Sequence, residues 1–167
     1  MKKKDFLWLL LLPVYLAIIA IRHEGSHALA AMAEGADITE FVFWPSFDLG
    51  YFTWGYTGWD GSTTWFAIAA PYFCDLLIFF AAILIILQVK PRRRWLWLNI
   101  LAIGVASPFA NSAFNYFGGL AKGQNDVGVL LSDLNPIAVH LYFVLTLLFY
   151  VWGLYHCYFR KKTWHPE

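Results

Sequence analysis

Four long apolar stretches, over about residues 6–34, 64–89, 95–117 and 136–159, constrain this chain more than any other feature of its sequence. A helix needs about 20 apolar residues to cross the hydrocarbon core of a bilayer, and each stretch is long enough to do so with some tilt. Four crossings use roughly half of the 167 residues, leaving no room for a separate soluble domain. The expected fold is an all-α polytopic membrane protein with four transmembrane helices, one membrane-embedded domain over residues 1–167. Composition agrees: 60% of residues are hydrophobic and 14% charged, against about 45–50% and about 25% in ordinary soluble domains.

The basic residues set the orientation. Lys2 to Lys4, then Lys90 with Arg92 to Arg94, then Arg160 to Lys162 lie at alternate ends of the stretches, and the opposite loops hold only Lys122. By the positive-inside rule both termini are expected in the cytoplasm. A basic start before an apolar run is also the pattern of a cleaved secretory signal, with Ala28-Leu29-Ala30 resembling a cleavage site. The run from Phe6 to Ile21 exceeds the roughly 7–15 residues of a signal core, so an uncleaved first span is the expectation.

Other classes fall away. Net charge is +1, and the basic residues mark segment ends without interleaved stacking residues, so nucleic acid is not an expected partner. Cys74 and Cys157 fall in different segments, near opposite faces on this topology, so no disulfide is expected. Between the first two segments, Ile38 to Trp44 and Gly50 to Tyr56 are rich in β-branched and aromatic residues around Pro45-Ser46-Phe47-Asp48-Leu49. That composition predicts a short β-hairpin over about residues 38–56, although the same rings would suit an interfacial belt on an irregular loop.

Near the end of the first segment stands His23-Glu24-Gly25-Ser26-His27. On a helix the two histidines lie one turn apart on one face, so both imidazoles can reach one metal while Glu24 lies beside it, the H-E-x-x-H spacing of zinc hydrolases. Ionisable groups at this depth of a membrane helix are costly unless they line a cavity or a site. Such zinc sites take three protein ligands and keep an open position. The candidates for the third are Asp126, Asp75, Asp133 and His140. Asp126 lies on the same expected side as the motif, and Asn125-Asp126 equally suits a helix N-cap. Asp75 lies inside the second segment at a depth comparable to His27, where a carboxylate needs a partner such as Arg22 or a histidine nitrogen. In the third segment Ser107, Asn111 and Asn115 recur every four residues as one polar stripe, suited to interhelical bonding or, for Asn111 and Asn115, to binding substrate backbone.

The run from His23 to Ala31, followed by Gly35, resembles the site-2 protease family of intramembrane zinc metalloproteases, particularly its small members. The resemblance is strong over the first segment and loose elsewhere. That family is similar in following the motif helix with a β-hairpin, then a segment with an Ala-Pro turn, here Ala69-Ala70-Pro71-Tyr72, and then an aspartate ligand near a later helix. The family's Asn-Pro and Leu-Asp-Gly signature is absent as such, and the nearest equivalent is Asn125-Asp126-Val127-Gly128. The resemblance implies one zinc ion per chain held by His23, His27 and Asp126; Asp75, by its depth in the second segment, is the alternative ligand. The resemblance also implies Glu24 as general base and substrates that are transmembrane segments of other proteins, and the orientation set by the basic residues puts the active site toward the extracytoplasmic side. Two other readings share the fold: a catalytically silent membrane protein that binds partner helices, and a metal carrier.

Overall fold

The computed structural model describes residues 11–47, 53–89, 93–123 and 125–159. In chain order they form α1 (Leu12–Ala33), β1 (Asp37–Val42), β2 (Tyr56–Asp60), α2 (Trp65–Leu84), α3 (Arg94–Leu101), α4 (Ser107–Lys122), α5 (Asp126–Asp133) and α6 (Pro136–Leu154). The protein is therefore mostly helical, with one two-stranded antiparallel sheet. It falls into two compact units, one ending at Ala67 and the other beginning at Ile68, one turn into α2.

In the first unit α1 opens with Pro13 near its first turn, where the missing amide costs nothing. It ends in a Schellman turn: Gly35 N donates to Met32 O at 3.0 Å and Ala36 N to Ala31 O at 3.0 Å. Gly35 adopts φ +91°, which a side chain would oppose. The chain then enters β1. Asp37 pairs with Asp60 and Val42 with Tyr56, with an irregularity between Ile38 and Glu40.

The first strand falls on the expected Ile38 to Trp44, whereas the described second strand lies at Tyr56–Asp60 and shares only Tyr56 with the expected Gly50 to Tyr56. Gly58 and Asp60 in this strand are poor strand formers by propensity. Pairing overrides propensity here, because a Cβ at position 58 would come within 3.1 Å of Thr39 Oγ1. The Ser46–Thr53 bridge carries the pairing further toward the tip. Residues 48–52, including Asp48 and Leu49 of the anticipated turn, lie outside the described residues.

Three helical runs are long and apolar enough to cross a membrane among the described residues: Trp65–Val89, Arg94–Ala121 and Pro136–Cys157. They coincide closely with the second, third and fourth apolar stretches. α1 is not among them. Its second half carries Arg22, His23, Glu24, Ser26 and His27 where a plain span would be apolar, and residues 6–10 of the first stretch lie outside the described residues.

Each long run departs from a plain α-helix. α2 continues into a π-helical turn at Ile85–Val89, α3 joins α4 through one at Ala102–Ala106, and α6 ends in one at Tyr155–Phe159. The Ala-Pro pair expected as a turn lies inside α2, with Pro71 in the helix. The third stretch, expected to end near Phe117, continues through Gly118 and Gly119 to Lys122 and stops at Gly123, φ +65°. Packing outweighs the low helix propensity of glycine there. A Cβ on Gly119 would stand 2.7 Å from Asn125 Oδ1 and 2.8 Å from Val127 Cβ, where α5 begins. Asn135 then caps α6 by accepting from Ile137 N at 2.9 Å.

The second unit packs around Phe79, Ile83, Ile86, Trp97, Val105 and Tyr150. A smaller cluster joins Tyr72, Tyr116, Val127 and Phe143. Small residues let the helices approach closely. Outward, α6 exposes Ile137, Leu141, Leu145, Leu148 and Phe149, a surface suited to hydrocarbon. A Cβ at Gly104 would lie 2.3 Å from Ala82 Cβ, so Gly104→Ala should destabilise the protein by about 1–3 kcal/mol. Leu148→Ala on the outward face should change stability by no more than about 0.5 kcal/mol. Denaturant unfolding in detergent micelles measures both.

Candidate functional site

His23 and His27 project from one face of α1 because they are four residues apart on a continuous helix. Their rings meet edge to face, with centroids 4.9 Å apart and planes at 83°. Glu24 and His27 are buried, at 7% and 4% exposure, and His23 is partly buried. Burial this deep demands partners, and the hairpin and the start of α2 supply them.

Strand β2 lies over the motif. The Thr57 hydroxyl is 3.0 Å from Glu24 Oε2 and 3.1 Å from the Glu24 backbone oxygen, so its one proton serves both acceptors. Two residues on, and thus on the same face of the strand, the Trp59 ring lies 6.2 Å from that of His27. Gly55 leaves the space that Glu24 fills: a Cβ there would stand 2.7 Å from Val42 O and 3.0 Å from Glu24 Cγ.

The other ring nitrogen of interest is His27 Nδ1, 2.8 Å from the Ala67 carbonyl oxygen. A carbonyl only accepts, so Nδ1 carries the hydrogen, and in a neutral ring Nε2 then keeps its lone pair. The first turn of α2 is itself tied to the end of α1. Glu34 accepts from Thr64 N at 2.7 Å and also from the Thr64 hydroxyl, while Thr64 Oγ1 accepts from Phe66 N at 3.2 Å.

In the second unit Asp126 occupies the first turn of α5, capped by Asn125, whose Oδ1 accepts from Gly128 N at 3.1 Å. The buried Tyr72 hydroxyl donates to Asp126 Oδ2 at 3.1 Å, fixing the carboxylate's orientation. Asp75 is 1% exposed and accepts from Asn111 Nδ2 at 2.8 Å. Asn115 Nδ2 lies 3.1 Å from both Asn111 O and Asn111 Oδ1, and Asn125 Nδ2 donates to Asn115 O at 2.7 Å. Asn111 and Asn115 of the polar stripe thus serve interhelical bonding, as a relay of amides from Asp75 to the cap of α5, whereas the Ser107 hydroxyl bonds the Ile103 carbonyl within its own helical run. Asp133 is exposed, with Ser132 Oγ donating to it at 2.9 Å, and His140 Nδ1 bonds the Tyr116 hydroxyl at 3.0 Å.

Gly55, Thr57, Trp59 and Ala67 carry no motif and were not singled out by the sequence, and Tyr72 was named only as part of the Ala-Pro segment. The alternation of Thr57 and Trp59 would have pointed to the motif helix only if β2 had been placed where it lies. Comparison with protein-family models, with curated proteins and with solved structures finds no match to this chain.

Thr57→Val keeps the shape of the side chain and removes the donor to Glu24. Losing a hydrogen bond to a charged group costs about 1.5–3 kcal/mol, so unfolding should shift by about that amount, whereas Thr57→Ser should stay near wild type.

Proposed function

We propose that this chain is an intramembrane zinc metalloendopeptidase of the site-2 protease type, holding one zinc ion through His23, His27 and Asp126. One observation carries the reading: the two imidazoles share a face with rings 4.9 Å apart, beside a buried glutamate that is not needed for metal binding alone. The chemistry of the donors fits zinc, since the Ala67 carbonyl commits Nδ1 of His27 and leaves Nε2 as the ligand atom. Asp126 supplies an oxygen donor whose direction Tyr72 sets. The bond from Asn111 to Asp75 supports a structural role for the alternative ligand and for the asparagine stripe.

Zinc bound by these residues would polarise the scissile carbonyl and activate water near neutral pH. Glu24 accepts the proton of the attacking water on a carboxylate oxygen and delivers it to the leaving amine, with Thr57 holding Oε2 in place. No side chain is required as a nucleophile. Amides of a transmembrane helix are already bonded and shielded, so substrates are membrane segments that unwind easily. In this reading α1 is a fourth span, both termini face the cytoplasm, and the site lies toward the extracytoplasmic side.

Purified protein should contain about one zinc per chain, and His23→Ala, His27→Ala or Asp126→Ala should lose most of it by elemental analysis. Full loading in all three would overturn the ligand set. Glu24→Gln should keep the metal and abolish cleavage of a transmembrane peptide, because glutamine cannot take the proton. Equal cleavage by that variant would exclude the mechanism, while metal without cleavage in wild type would favour a carrier or a silent binder. Cysteines introduced at Lys3 and Lys161 should be labelled only from the cytoplasmic side.

A further inference from the structure

In an α-helix the amide of residue i donates to the carbonyl of residue i−4. Four residues after Ala67, within the continuous helix α2, stands Pro71, which has no amide hydrogen and whose ring crowds the carbonyl one turn back. The Ala67 carbonyl is thus deprived of its helix donor in a residue with no exposed surface. A buried carbonyl left unpaired costs as much as a lost hydrogen bond. The group that meets this one is His27 Nδ1, at 2.8 Å.

A second helix proline shows the same chemistry. Ser107 N bonds Ala102 O across the π-helical turn. The next amide in that ladder would be that of residue 108, which is proline. The Ser107 hydroxyl serves the Ile103 carbonyl instead, at 2.6 Å. In both places a proline vacates a carbonyl and a side-chain donor takes it. In α2 the donor belongs to the candidate metal ligand.

We infer that Pro71 is a positioning residue for His27: by withholding an amide it reserves the Ala67 carbonyl for Nδ1–H, and so fixes the tautomer and ring direction that present Nε2 as a ligand. The role as a ligand rests on the metal centre proposed above; the tautomer does not.

Three proteins separate this role from packing: wild type, Pro71→Ala, and a variant with the α-hydroxy acid analogue of alanine at position 71. The last matches alanine in size but carries an ester oxygen in place of the amide N–H. Ring-nitrogen NMR of ¹⁵N-histidine-labelled, metal-free protein at about pH 8, above the usual imidazole range, reads the tautomer, with the His27 signals assigned by their loss in His27→Ala. Zinc affinity is read by competition with a chelator. Wild type and the hydroxy-acid variant should hold His27 as the Nδ1–H tautomer. Pro71→Ala should show mixed tautomers and bind zinc about ten- to a hundredfold more weakly, with the hydroxy-acid variant recovering most of that loss. A wild-type tautomer in Pro71→Ala, or a hydroxy-acid variant as impaired as Pro71→Ala, would overturn the inference. Wild-type protein that binds no zinc would overturn the metal centre, while the tautomer comparison still decides the role of Pro71.

Discussion

Polar groups buried away from water must find partners within the protein, and the structure around the motif is organised by that requirement. Glu24 and His27 are nearly enclosed. One is held by a strand hydroxyl and the other by a helix carbonyl. Neither partner is a motif residue, and both come from elements that follow the motif in sequence. The motif helix therefore supplies donors and acceptors, while β2 and the first turn of α2 fix their directions.

The same requirement shapes the second unit. Asp75 is buried among helices rich in aliphatic and aromatic side chains, and three asparagines connect it to the cap of the short helix that begins with Asp126. Each amide both donates and accepts, so they can relay along a helix face where single-role groups could not. Gly118 and Gly119 let that cap approach α4, since a Cβ on either would crowd Asn125. Polar satisfaction and close packing thus converge on the same few residues.

Where local chemistry decides an element, the sequence announced it. The second, third and fourth apolar stretches become helical runs with nearly the expected ends, the fourth beginning at Pro136. The motif was legible because its geometry follows from a four-residue spacing on one helix. What stayed hidden depends on partners far along the chain. Thr57 meets Glu24 across 33 residues, and Tyr72 meets Asp126 across 54. β2 lies later than its β-branched and aromatic composition suggested, because its pairing with β1 takes in Gly58 and Asp60, which have low strand propensity. Pro71 was read as a turn from the resemblance, and the donor that meets the Ala67 carbonyl one turn before it sits 40 residues away in sequence.

The tie between Glu34 and Thr64 closes the hairpin at its base, and Thr57 and Gly55 engage the motif helix on the same side of the tip. Thr57 and Gly55, which shape the surroundings of the buried glutamate, thus lie outside the interval from Pro45 to Thr53. Lengthening a flexible loop is cheap in free energy, about 0.6 kcal/mol for each doubling. The outer reach of this hairpin is consequently the place where lineages could diverge in length and side chains while inheriting the interior unchanged.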